Sequence, residues 1–198
     1  MQNITKNIPQ NKLGGITVAI VLTDGFEQIE MTGPRKALEQ QGAITKIVSP
    51  KRDQVQGFHH DKPADRFDVD LTLADARADD FDAVLLPGGV QNADSIRSDE
   101  RAQQFVQNID RDGKPLAVIC HGAWLLVSAK LVDGRSLTSW PSLQDDLLNA
   151  GAKWQDKQVV IDDNWVSSRK PDDIPAFNQA FIDALSQRTT SKASAVAQ

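Results

Sequence analysis

Three short apolar runs, each emptying into a loop of small or polar residues, constrain this chain more than any other feature. Ile16 to Leu22 reads ITVAIVL, Ala83 to Leu86 reads AVLL, and Pro115 to Ile119 reads PLAVI. A strand with one wet face alternates apolar and polar residues, so a run that is apolar throughout needs cover on both faces. The stretches between these runs supply that cover. Pro34 to Gln41 reads as helix, ended by Gly42, and Ile44 to Val48 alternates like a strand. Ser98 to Asp110 is a predicted helix, with Ser98 as its cap and Glu100 in its first turn. His121 to Lys130 and Ser142 to Ala150 are predicted helices, and Asp173 to Ser186 closes the body with another. Val159 to Ile161 and Trp165 to Ser168 are expected to pair across Asp162-Asp163-Asn164. Strands alternating with helices predict an α/β fold, a mainly parallel sheet with helices on both faces. Ligands of such sheets sit beyond the carboxyl ends of the strands.

The 198 residues suit one domain, expected over residues 16–186. Residues 1–15 are polar with a Gly-Gly and read as a flexible N-terminal arm, and 187–198 as a flexible C-terminal tail. A net charge of -5 argues against a nucleic-acid or anionic-membrane surface, since both need clustered Lys and Arg. No apolar run approaches the ~20 residues of a membrane span. The opening MQNITKNIPQNKLGG has neither the basic start nor the apolar stretch of a secretion signal. The one cysteine has no internal disulfide partner. A reducing, cytoplasmic setting and a thiol available for chemistry are the expectation.

That cysteine closes the third apolar run. In Leu116-Ala117-Val118-Ile119-Cys120-His121-Gly122-Ala123, a buried strand ends, one nucleophile follows, and small residues open a helix. This is the layout of a nucleophile elbow. A helix N-terminus aimed at the sulfur favours thiolate, the reactive form. The competing reading is a buried structural cysteine. The second run empties into Pro87-Gly88-Gly89, whose N–H groups, with that of His121, could form an oxyanion hole beside Cys120. The first empties into Asp24-Gly25-Phe26-Glu27-Gln28-Ile29-Glu30, placing two carboxylates at the same sheet edge. A partly buried acid there would have a perturbed proton affinity and could share a hydrogen bond with the sulfur.

The three histidines narrow the mechanism by elimination. None follows His121, so a papain-type histidine far downstream is absent. His121 is the leading base, with His59 and His60 as alternatives from a loop. His59-His60-Asp61 lacks a further His or Cys to complete a metal site, and no metal or cofactor is expected.

Together these motifs resemble the PfpI-like family, in its intracellular protease and general stress protein branch. That family lies within the class I glutamine-amidotransferase-like superfamily, which includes the Parkinson-associated protein deglycase. The resemblance rests on DGFEQIEMTGP, FDAVLLPGGVQNADSIR, AVICHGAWLLVSA, LTSWPSLQDDLLNAGA and VSSRKPDDIPAFNQAFI, from about Ile16 to Leu185. It implies a flavodoxin-like three-layer sandwich. It implies Cys120 as nucleophile, His121 as the adjacent histidine, and Glu30 as the glutamate that contacts the sulfur, with Glu27 as second candidate. It implies that Asp94 completes a Cys-His-acid triad across a subunit interface, although the family protease carries the longer glutamate there. Arg169 borders the site in relatives and could anchor an anionic group. A shared triad implies a homodimer or higher oligomer.

The resulting expectation is an enzyme whose Cys120 attacks a carbonyl, with His121 moving protons and small reactive aldehydes or glycated adducts as substrates. An intracellular peptidase acting on peptides is the alternative enzyme. A redox-sensing or chaperone protein, using oxidation of Cys120, is the alternative without catalysis.

Overall fold

The computed structural model describes residues 11–196, with side chains through residue 187. The chain runs β1 (Thr17–Val21), β2 (Phe26–Glu27), α1 (Gln28–Gln40), β3 (Ile44–Ser49), β4 (Gln54–His59), β5 (Lys62–Asp68) and β6 (Leu71–Thr72). It continues through β7 (Ala83–Leu86), α2 (Val90–Ile96), α3 (Glu100–Arg111), β8 (Leu116–Ile119), α4 (Ala123–Ser128), β9 (Ser136–Leu137) and α5 (Gln144–Asn149). The last elements are β10 (Lys153–Trp154), β11 (Val159–Asp162), β12 (Trp165–Ser168) and α6 (Ile174–Val196).

Seven strands form the main sheet in the order β11-β12-β8-β7-β1-β3-β6. All its pairings are parallel except β11 with β12, the hairpin expected from the sequence. Strand alternation sends successive side chains of the apolar runs into two cores. Val18, Ile20, Leu85, Ala117 and Ile119 pack on one face with Met31 and Leu38 of α1 and Phe177 and Phe181 of α6. Ala19, Val21, Val84, Leu86 and Val118 pack on the other with Phe105 and Ile109 of α3 and Leu125 and Leu126 of α4. This two-sided cover makes the fold a flavodoxin-like three-layer α/β sandwich.

Several local expectations are corrected. The turn at residues 11–15 is not a loose arm: Leu13 is fully buried, and its N–H donates to the Gln41 carbonyl at 2.9 Å. Residues 1–10 lie outside the described residues. Helix α1 begins at Gln28, not Pro34, which sits inside it. Proline marks helix starts so often that it misplaces this one. Asp99, not Ser98, caps α3, accepting the N–H groups of Arg101 and Ala102. Helix α6 continues to Val196, past Ser186 where the sequence reading stops it. The hairpin of β4 and β5 is not signalled in the sequence, because β5 is mostly exposed and carries no apolar alternation. Its two-residue turn, His60-Asp61, matters below.

Candidate active site

The loops after β1, β7 and β8 meet at one sheet edge, and the meeting depends on close backbone approach. Cys120 follows β8 with φ at 62°, a left-handed conformation that costs a non-glycine residue about 1–2 kcal/mol. The surroundings hold it there. The Trp140 N–H donates to the Cys120 carbonyl at 3.2 Å. A β-carbon on Gly122 would fall 2.7 Å from the Leu86 carbonyl oxygen and 3.0 Å from that of Pro87, so only glycine lets the elbow press against the β7 exit. Gly89, with φ at 87°, lies against the Gly25–Glu27 backbone in the same way. Asn92 of α2 locks the first two loops together: it accepts the Thr23 N–H at 2.7 Å and donates to the carbonyls of Pro87 and Gly88. Sequence reasoning did not single out this buried asparagine.

The structure brings Cys120, His121 and Glu30 together. The Cys120 sulfur lies 3.2 Å from His121 Nδ1 and accepts the N–H groups of His121 and Gly89. Glu30, in the first turn of α1, is fully buried against the sulfur. Its Oε2 accepts the Gly88 N–H at 2.8 Å, while Oε1 has no conventional hydrogen-bond partner. The Gly88 N–H, expected from the sequence as an oxyanion donor, is taken up by Glu30 in this structure. Burial pushes the Glu30 carboxyl up to about 8, and the Gly88 N–H offsets only part of that. The acid is thus mostly protonated at neutral pH, with a proton to offer the sulfur.

The thiol departs from the expected thiolate. Burial first, and then the adjacent Glu30 charge, push Cys120 well above its ordinary value, while the two N–H groups pull it back. With Glu30 protonated, its charge no longer opposes the thiolate. His121 is 8% exposed and packed between the edge of Trp124 and the stacked ring of Trp140, at centroid distances of 5.4 and 5.9 Å. Burial lowers its proton affinity below 6.5, so at neutral pH it is an uncharged base.

A pocket of about 400 Å³ opens over Cys120, His121, Glu30 and Gly89. Glu27, His60, Asp61 and Trp140 form its mouth. The β4–β5 turn is drawn to the site because Glu27 Oε2 accepts the His60 N–H at 3.0 Å. A roomier surface cleft of about 590 Å³ lies elsewhere, between residues 73–79 and α3, and contains no nucleophile. Two candidates fall outside the pocket. Asp94 is exposed on α2 and, among the described residues, makes no hydrogen bond to His121 of its own chain, and the triad expected of it is one across a subunit interface. Arg169 is held by Asp173 and Asp156 at 2.8 and 2.7 Å and does not line the pocket. Among the described residues, no three His, Cys, Asp or Glu side chains gather as metal ligands.

Comparison with known proteins identifies the family. The DJ-1/PfpI family model matches residues 16–184. A deglycase of Pyrococcus abyssi is 39% identical over 168 residues, covering 85% of this chain and 98% of that protein. General stress protein 18 of Bacillus subtilis is 42% identical over 173 residues, covering 86% and 98%. The crystal structure of Drosophila melanogaster DJ-1beta superposes with a TM-score of 0.79 at 25% identity, covering 86% of this chain and 90% of that one. The chain belongs to the DJ-1/PfpI family.

Proposed function

We propose that this chain is a cysteine-dependent enzyme acting on small reactive aldehydes or glycated adducts, with Cys120 as nucleophile. The observation that carries this is the Cys120 sulfur itself. It is held on a left-handed elbow in the pocket, 3.2 Å from the His121 imidazole and next to the fully buried Glu30 carboxyl. The deglycase name of the Pyrococcus abyssi relative points to the same chemistry.

For an α-oxoaldehyde such as methylglyoxal, the steps balance without a cofactor. His121 takes the thiol proton as the sulfur adds to the aldehyde carbon, and the carbonyl pair moves to oxygen. We assign that oxygen to the N–H groups of Gly89 and His121, which hold the sulfur at rest. A proton then moves from the aldehyde carbon to the neighbouring carbonyl carbon, turning the hemithioacetal into a thioester. Water hydrolyses the thioester, releasing a 2-hydroxy acid and restoring the thiol. Methylglyoxal consumption by the purified protein, beside Cys120→Ala and His121→Ala, tests the reading. Turnover lost in Cys120→Ala and sharply reduced in His121→Ala is expected. No turnover, or turnover retained by Cys120→Ala, overturns it.

A redox-sensing reading draws on one further observation, the unpartnered Glu30 Oε1 beside the sulfur. A protonated oxygen there could donate to a sulfur oxidised by peroxide. Intact mass after mild peroxide, with a gain of two oxygens lost in Cys120→Ala and no aldehyde turnover, would favour it.

A further inference from the structure

The walls of the pocket mouth carry a charge asymmetry that the chemistry at Cys120 does not use. Glu27 and Asp61 line the pocket directly, and Lys170 and Asp172 line the cleft that continues from it past Trp140. Lys170 is already paired with Asp172 at 3.1 Å. Three carboxylates thus face one ammonium, and the remaining titratable groups at the mouth are His59 and His60, of which His60 Nδ1 lies 3.8 Å from Glu27 Oε2. Arg169, the residue expected to meet an anion, is committed to Asp156 and Asp173. Trp140, 38% exposed, lines both pocket and cleft. An indole with carboxylates around it is a surface that attracts cations and repels anions.

We infer that the mouth selects ligands of Cys120 by charge, through Glu27, Asp61 and Trp140. Cationic carbonyl compounds, including aldehyde adducts of amines and guanidines that keep their positive charge, enter in preference to anionic ones such as oxo acids. The inference rests on Cys120 being the group that ligands reach, and it narrows the proposed substrate class.

Cys120 is the chain's only cysteine, so its labelling rate reads the mouth without any need for turnover. The probes are trimethylammonioethyl methanethiosulfonate, a cation, and sulfonatoethyl methanethiosulfonate, an anion. Each forms an S–S bond with the thiol and expels methanesulfinate, the thiol proton passing to buffer. Rates are followed by intact mass near neutral pH and divided by those of a small free thiol. Two carboxylates lining the pocket over the sulfur should favour the cation about fivefold to tenfold at low salt. Asp61→Asn, an exposed site that should not disturb folding, and Glu27→Gln, which keeps the acceptor for His60, should each reduce the preference to about threefold. Added salt should compress it further. A ratio equal to that of the small thiol, a ratio unchanged in both variants, or no labelling by either probe overturns the inference. Charge-selective labelling without methylglyoxal turnover would overturn the enzyme reading and leave charge selection standing. Turnover with charge-blind labelling would do the reverse.

Discussion

The backbone N–H of Gly88 donates to Glu30 Oε2 at 2.8 Å, and this bond joins the loop after β7 to the first turn of α1 directly beneath the nucleophile. The contact leaves no room for a side chain. A β-carbon at Gly88 would meet Glu30 Oε2 at 2.5 Å, Cys120 Cβ at 2.7 Å and the His121 nitrogen at 2.9 Å. All three belong to the site, so Gly88→Ala must displace at least one of them. The expected outcome is a loss of about 1–3 kcal/mol of stability from overpacking, with kcat/KM for methylglyoxal reduced by about a hundredfold or more. Thermal melting beside steady-state kinetics checks both. A variant with wild-type kinetics would show that this packing does not position the thiol.

Glu30 makes stability depend on pH in a predictable direction. Burial raises its folded-state value from 4.5 to about 8. Below about pH 4.5 both states hold the proton. Between there and about pH 8 the unfolded chain releases it while the folded chain keeps it, so stability falls as pH rises. The fall is at most about 1.4 kcal/mol per pH unit, and it ends above the folded value. Glu30→Gln keeps an acceptor for Gly88 and removes the titration. Urea unfolding of both proteins at several pH values should show the wild type losing ground to Glu30→Gln as pH rises from 5 to 8. A pH-independent difference would contradict the buried, protonated acid.

His121 has a separate kinetic signature. Because burial lowers its proton affinity, the imidazole is an available base across neutral pH. The acid limb of kcat/KM should therefore lie below 6.5, and His121→Ala should lower kcat/KM by about 10²–10⁴-fold. A pH profile with methylglyoxal reads the limb. An acid limb centred above 6.5 would mean that the ring gains a stabilising partner in the working enzyme, as an acid supplied across a subunit interface would provide.

The apolar runs made the sheet legible, because a strand buried on both faces has no polar positions to blur its boundaries. Cys120 and the Gly88-Gly89 loop were legible because strand ends and small residues are local signals. The mouth was not. His60 and Asp61 reach the pocket from the tip of a polar hairpin, through the bond from His60 to Glu27, thirty-three positions apart in sequence. Nothing local to His59-His60-Asp61 announces that contact, and the run reads only as alternative bases in a loop or an incomplete metal motif. Trp140 lay in a recognised motif, but whether it faced core or pocket depended on its stacking with His121. Asn92 was hidden similarly, since its partner Thr23 lies in the loop after β1, sixty-nine positions away.

Arg169 separates a structural role from a binding one. Its guanidinium donates to both oxygens of Asp173, whose side chain is only 4% exposed, and to the more open Asp156. These carboxylates raise the guanidinium's already high proton affinity, so it stays charged at every accessible pH. Asp173 precedes α6, whose Phe177 and Phe181 sit fully within the core beneath the sheet. Removing the arginine would leave a buried carboxylate without its counter-charge at the start of that helix. Arg169→Ala should therefore destabilise the fold by about 1–3 kcal/mol, the range for leaving a buried charged acceptor without its hydrogen-bond partner. The KM for methylglyoxal should stay within about threefold of wild type, a difference of under 1 kcal/mol. Chemical denaturation and kinetics on the folded fraction check the two parts independently. A large rise in KM with unchanged stability would return Arg169 to the binding site and overturn its place as an anchor of α6.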